Sequence, residues 1–111
     1  MKIAFATNGN DLNSEIALHF GRAKSLLVYD TEERKFEVFE NPELEGRGFP
    51  PDFLYNQGVK AVITFALGSR AFEKFKNYKI EVYKAIEGTI LENLREFEKG
   101  GLKKLREEDV F

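Results

Sequence analysis

The chain contains no cysteine. That excludes an internal disulfide, a Cys-x-x-Cys redox pair, a thiolate zinc site, a cysteine nucleophile and a cysteine-ligated iron–sulfur cluster. Histidine is nearly absent too, with His19 the only one, and a single imidazole makes a poor metal site by itself. No apolar run approaches the length of a membrane span, and the opening MKIAFATNGND is too short for a secretory signal, so a cytoplasmic location without membrane partners is expected. An excess of either charge is also missing. Seventeen Lys and Arg face nineteen Asp and Glu, a net −2, which argues against nucleic acid or an anionic membrane as the main partner. The basic cluster Lys103, Lys104 and Arg106 is answered at once by Glu107, Glu108 and Asp109, and reads as a solvated helix end.

What is present suits one domain spanning 1–111. The chain is 42% hydrophobic with eleven Phe, enough for a Phe-rich core. Abundant Lys and Glu with a single Gln fit a thermophilic source. Lys2–Thr7 is a short apolar run closed by the turn signal Asn8-Gly9-Asn10, and reads as a buried strand. Ser25–Asp30 and the alternating Lys35–Glu40 flank a tight turn, Thr31–Arg34, as a hairpin whose second strand lies near an edge. Residues 41–51 hold all three prolines and read as a loop, leading to a helix that starts at Pro50-Pro51-Asp52 and stops at Gly58. A strand at Ala61–Phe65, a helix at Ser69–Tyr78, a strand at Glu81–Lys84 and a helix at Thr89–Lys99 follow, the last opened by the capping box Thr89-x-x-Glu92. Strands alternating with helices over short links imply parallel pairing, so the expected class is α/β: a five-stranded mixed sheet with helices packed against it.

Parallel strands bring their carboxyl ends to one sheet edge, where open α/β sheets bind ligands. Three glycine-containing loops should leave that edge: Asn8-Gly9-Asn10, Leu67-Gly68-Ser69-Arg70 and Glu87-Gly88-Thr89. An antiparallel second strand would start there too, adding His19, Gly21 and Arg22. Two of the loops open helices, whose first amides favour an anion, and Arg22 and Arg70 would add cationic donors. Each feature also has a plain structural reading. Thr89 is explained by its capping box, Arg70 by an exposed helix start, and Gly21 by a backbone conformation that other residues avoid. His19 is either a partly buried ring bonded to a backbone carbonyl or a ligand presented on a loop.

His19-Phe20-Gly21-Arg22-Ala23, set between a strand ending in Thr7-Asn8-Gly9 and a second strand, resembles the signature of the nitrogenase iron–molybdenum cofactor biosynthesis family, which includes NifX-like proteins and the C-terminal domain of NifB. The resemblance continues through Asn41-Pro42, Gly58-Val59-Lys60-Ala61-Val62-Ile63, Gly68-Ser69-Arg70-Ala71-Phe72 and Gly88-Thr89-Ile90, ending near Gly101-Leu102. It implies a three-layer α/β/α, ribonuclease H-like fold with the second strand antiparallel. It also implies a non-catalytic accessory role: binding or carrying a labile iron–sulfur or iron–molybdenum-type cluster, or its precursor, between donor and acceptor proteins. By the same resemblance His19 would be the metal ligand, and Asn8, Gly21, Arg22, Gly68, Ser69 and Arg70 would shape and neutralise the pocket. Relatives often carry a glycine pair where this chain has Phe65-Ala66, and bulk there would narrow the cavity.

Other chemistries lack their residues. The strands KIAFAT and AVITF hold no acid, which excludes a two-metal nuclease. There is no G-x-S-x-G elbow for a serine hydrolase, and no Walker or dinucleotide fingerprint. Two readings are left: a metallocluster carrier using the His19 rim, and a small-anion-binding or protein-interaction module in which His19 is structural.

Overall fold

The computed structural model describes residues 1–46 and 48–111. Its strands are β1 (Lys2–Thr7), β2 (Ser25–Asp30), β3 (Lys35–Glu40), β4 (Val59–Thr64) and β5 (Glu81–Lys84). The helices are α1 (Pro50–Asn56), α2 (Ser69–Asn77) and α3 (Ile90–Glu98), with short 3-10 turns at Phe20–Arg22, Pro42–Glu45 and Glu107–Asp109. The five strands form one sheet in the order β3-β2-β1-β4-β5. β1 pairs antiparallel with β2, from Lys2 opposite Asp30 to Thr7 opposite Ser25. It pairs parallel with β4, Phe5 lying opposite Ile63, and β4 pairs parallel with β5.

The strands' alternation sorts the core into two halves. Ala4, Ala6, Leu26, Val28 and Val62 face Leu54 of α1 and Phe75 of α2. Ile3, Phe5, Leu27, Tyr29 and Ile63 face Ile90 and Leu94 of α3. α1 and α2 therefore cover one face and α3 the other. Phe5, Ile63 and Phe75 are fully enclosed, and each such side chain contributes about 1.5–3 kcal/mol by leaving water. The edge strand β3 is the exception: Phe36 and Val38 stay 37% exposed, because they lie on the α3 face beyond the reach of that helix.

Local chemistry explains most boundaries. α1 starts with prolines at its first turn, where no N–H is needed, and ends before Gly58, whose φ of +82° a side chain would resist. Thr89 and Glu92 form the reciprocal capping box at α3. β4 begins two residues earlier than the apolar run suggests and ends at Thr64, Phe65 having left the sheet to pack on the α3 side. Residues 41–51 are less irregular than expected: Asn41 caps the turn Pro42–Glu45. Arg47 of that loop lies outside the described residues.

The segment 103–106 is not a helix end. α3 stops at Glu98, Gly100 takes a φ of +77°, and the chain turns back along β5, with the Lys84 N–H donating to the Lys103 carbonyl and the Leu105 N–H to that of Val82. Leu102 and Leu105 are buried by this course. The alternation of charge had masked a strand-like pairing.

Candidate functional site

Beyond β1 the chain makes an excursion that folds back onto its own strand. Thr7 Oγ1 donates to the Glu15 carbonyl at 2.7 Å, and the Ala17 N–H donates to the Ala6 carbonyl at 2.8 Å. This delivers Leu18 and His19 to the rim. Phe20 then turns inward, 2% exposed, with its ring edge-on to Phe75 at 5.8 Å, while His19 stays exposed. Anchored by its neighbour, the imidazole is presented to solvent. The reading of His19 as a partly buried ring does not describe this structure, in which the residue is exposed.

A cavity of about 450 Å³ opens beside it, within the range of about 300–1,000 Å³ typical of small-ligand sites. It is lined by His19, Gly21 and Arg22 from the segment before β2, by Gly68 and Arg70 at the start of α2, and by Glu43, Phe49 and Phe111. The Arg70 guanidinium lies over the Phe49 ring, 5.4 Å from its centroid, which fixes the charge near the mouth. Glu43 is the one acidic side chain among these lining residues, opposite in sign to the two arginines.

Two expected members stand apart. Asn8 borders a smaller crevice on the other side of His19 and Arg22, and its carboxamide oxygen accepts the Lys24 N–H at 3.0 Å. Its visible work is to tie the first turn to the His19 loop. Ser69 faces the neighbouring crevices rather than this cavity, and its N–H donates to the main-chain oxygen of Phe111 at 2.8 Å.

The Glu87-Gly88-Thr89 loop does not join the rim. It opens α3 on the far face, where the Ile90 and Leu91 N–H groups donate to the carbonyls of Ser14 and Leu12 and Thr89 takes the Glu92 N–H. Those amides are committed, so an anion has no donors there. In α2 the first intrahelical bond runs from Phe72 to Gly68, which leaves the Ser69, Arg70 and Ala71 amides outside the helix's own ladder, and of these residues Arg70 and Ala71 line the cavity.

Gly21 does not serve the purpose expected of it. Its φ is not positive. A β-carbon there would come within 3.0 Å of Glu43 Oε2, so the glycine makes room for a carboxylate instead. Phe65 and Ala66 do not border the cavity, and the narrowing expected from them does not arise.

Several participants had no local signal. Glu43, Phe49 and Phe111 reach the cavity from loops far away in sequence. Asn41 is 1% exposed and donates its carboxamide N–H to the carbonyls of Ala23 and Phe20, at 3.0 and 3.4 Å, while its oxygen accepts the Glu43 N–H at 3.1 Å. One side chain thus positions both the His19 loop and Glu43.

Among the described residues no three His, Asp or Glu side chains are gathered to hold a metal ion. The donor set is one imidazole, two guanidiniums and helix-start amides. It fits an anionic cargo held by charge and one coordinate bond better than a tightly ligated cation.

Comparison with known proteins agrees with this architecture. A protein of Methanocaldococcus jannaschii of uncharacterized function is 32% identical, over 94% of this chain and 91% of its own. A candidate NifB protein from Thermotoga, solved by NMR, superposes with a TM-score of 0.81 at 32% identity, covering 96% of this chain and 97% of the other. A candidate dinitrogenase from M. jannaschii gives 0.75 at 26% identity, covering 95% and 94%. Residues 1–100 match the dinitrogenase iron-molybdenum cofactor family, and the chain belongs to that family.

Proposed function

We propose that the protein is a non-catalytic accessory factor that carries an iron–sulfur or iron–molybdenum-type cluster, or a precursor, on a three-layer ribonuclease H-like scaffold in the cytoplasm. The supporting observation is the convergence of His19, Arg22 and Arg70 on one open cavity beside the start of α2. In this reading His19 supplies the coordinate bond. Arg22 and Arg70 neutralise sulfide and oxide charge, and Gly68 allows close approach. Without thiolates the cargo is loosely held, which suits transfer between a donor and an acceptor protein rather than storage.

The test is anaerobic addition of an iron–sulfur or iron–molybdenum cluster. Wild type should give a coloured complex, and His19→Ala should lose it while folding normally. Binding by His19→Ala equal to wild type would overturn the reading. A second reading, a small-anion module, is favoured by the lone imidazole. Sulfate held equally by wild type and His19→Ala, with no cluster uptake, would select it.

A further inference from the structure

Residues 106–111 cross beside the site, beyond the 1–100 stretch that matches the family model. After pairing with β5 through Leu105, the chain turns at Glu107–Asp109 and runs beside the loop that opens α2. The Leu67 N–H donates to the Asp109 carbonyl at 3.4 Å, and the Phe111 N–H to that of Leu67 at 3.1 Å. The Ser69 N–H donates to Phe111 at 2.8 Å. One of the three amides that α2 leaves outside its ladder is therefore already taken by the protein itself.

We infer that Arg106–Phe111 is a releasable strap that competes with the cargo for the start of α2 and regulates access to the His19 cavity. This rests on the carrier reading above.

Three features make the strap separable from the fold. Leu105 is the last buried residue, and beyond it only Asp109 and Val110 are even partly covered. Phe111 borders the cavity yet is 72% exposed, so main-chain hydrogen bonds rather than burial hold it there. The side-chain fastening is small: Val110 packs half-buried against the core, Lys84 Nζ lies 2.6 Å from Asp109 Oδ1, and Asp109 Oδ2 accepts the Arg106 N–H at 3.2 Å. Gly68 leaves the passage clear, a β-carbon there meeting nothing nearer than the Phe111 oxygen at 3.9 Å. An anion that takes the Ser69 amide must displace Phe111. Conversely, a chain with the strap already released binds that anion more tightly, by the fraction of closed state removed.

The full chain carrying Lys84→Met, and separately Asp109→Asn, is compared with wild type by amide hydrogen exchange at Ser69 and Phe111. Each is also titrated anaerobically with tetrathiomolybdate, a soluble molybdenum–sulfur dianion. Both variants should exchange faster at the two amides and bind the dianion about five- to tenfold more tightly. In wild type, saturating dianion should speed exchange at Phe111. Unchanged exchange in both variants overturns the strap. So does faster exchange without tighter binding, and if His19→Ala still weakens the dianion then, the carrier reading survives alone. Absence of binding by wild type and both variants overturns the two together.

Discussion

The Asn41 carboxamide donates to the Ala23 carbonyl across the start of β2, at 3.0 Å, and holds the His19 loop against the turn that carries Glu43. Removing it leaves buried main-chain groups unmatched. Asn41→Ala should lower stability by about 1–3 kcal/mol in urea unfolding. It should also weaken dianion binding beyond what a folded-fraction correction explains, because the His19 and Glu43 walls lose their common tie. Affinity unchanged after that correction would mean the walls are held by something else.

The two glycines that precede helices should respond unequally to alanine. Gly68 has a φ of −69° and open space around it, so Gly68→Ala should shift stability by no more than about 1 kcal/mol. Gly88 has a φ of +129°, and an added β-carbon would lie 2.8 Å from Glu92 Oε1, part of the capping box. Gly88→Ala should therefore cost more than about 1 kcal/mol. Thermal melts of the pair decide it.

Asn93, fully buried on α3, satisfies both the N–H and the carbonyl of Ile86 at 2.9 Å. Asn93→Leu should cost about 2–3 kcal/mol by stranding both. The change lies on the face opposite the cavity, so dianion affinity of the folded variant should match wild type. A loss of binding there would show that the two faces are coupled.

The Lys84 ammonium holds the Asp109 carboxyl below its usual range, with the Arg106 N–H assisting and partial burial opposing. The stabilisation is then present above the unfolded carboxyl value and disappears as pH falls through the lower, folded one. Lys84, on β5, and Arg106, on the strap, are the charges that act on it. The strap should stay fastened from neutrality down to about pH 4 and loosen below. The carboxyl carbon shift of Asp109, followed by NMR with Phe111 exchange at each pH, checks the order of events.

How legible was this in the sequence? Elements governed by neighbours in the chain could be read directly: the apolar run of β1, the Gly58 stop and the Thr89–Glu92 box each act within a few neighbouring residues. The placement of His19 near the rim followed from an antiparallel second strand starting at the same sheet edge, while the sequence left open whether its ring is partly buried or presented. The parts played by Asn41, Glu43 and Phe111 were invisible for the opposite reason, although Asn41-Pro42 stood within the family resemblance. Their partners lie 18 or more residues away, and a side chain bonded to a remote backbone leaves no periodic trace. The segment 103–106 misled because charges on a paired edge and charges on a helix end look alike along the chain.

The excursion between β1 and β2 supplies the carbonyls of Leu12 and Ser14 to the first amides of α3 and, a few residues on, sets His19 at the cavity on the other side of the sheet. Its length is thereby measured twice, once against each helical layer. Adding or deleting a residue between Ser14 and Ala17 would put one of those two attachments out of step, so this stretch, although it lacks regular structure, tolerates substitution better than any change in its number of residues.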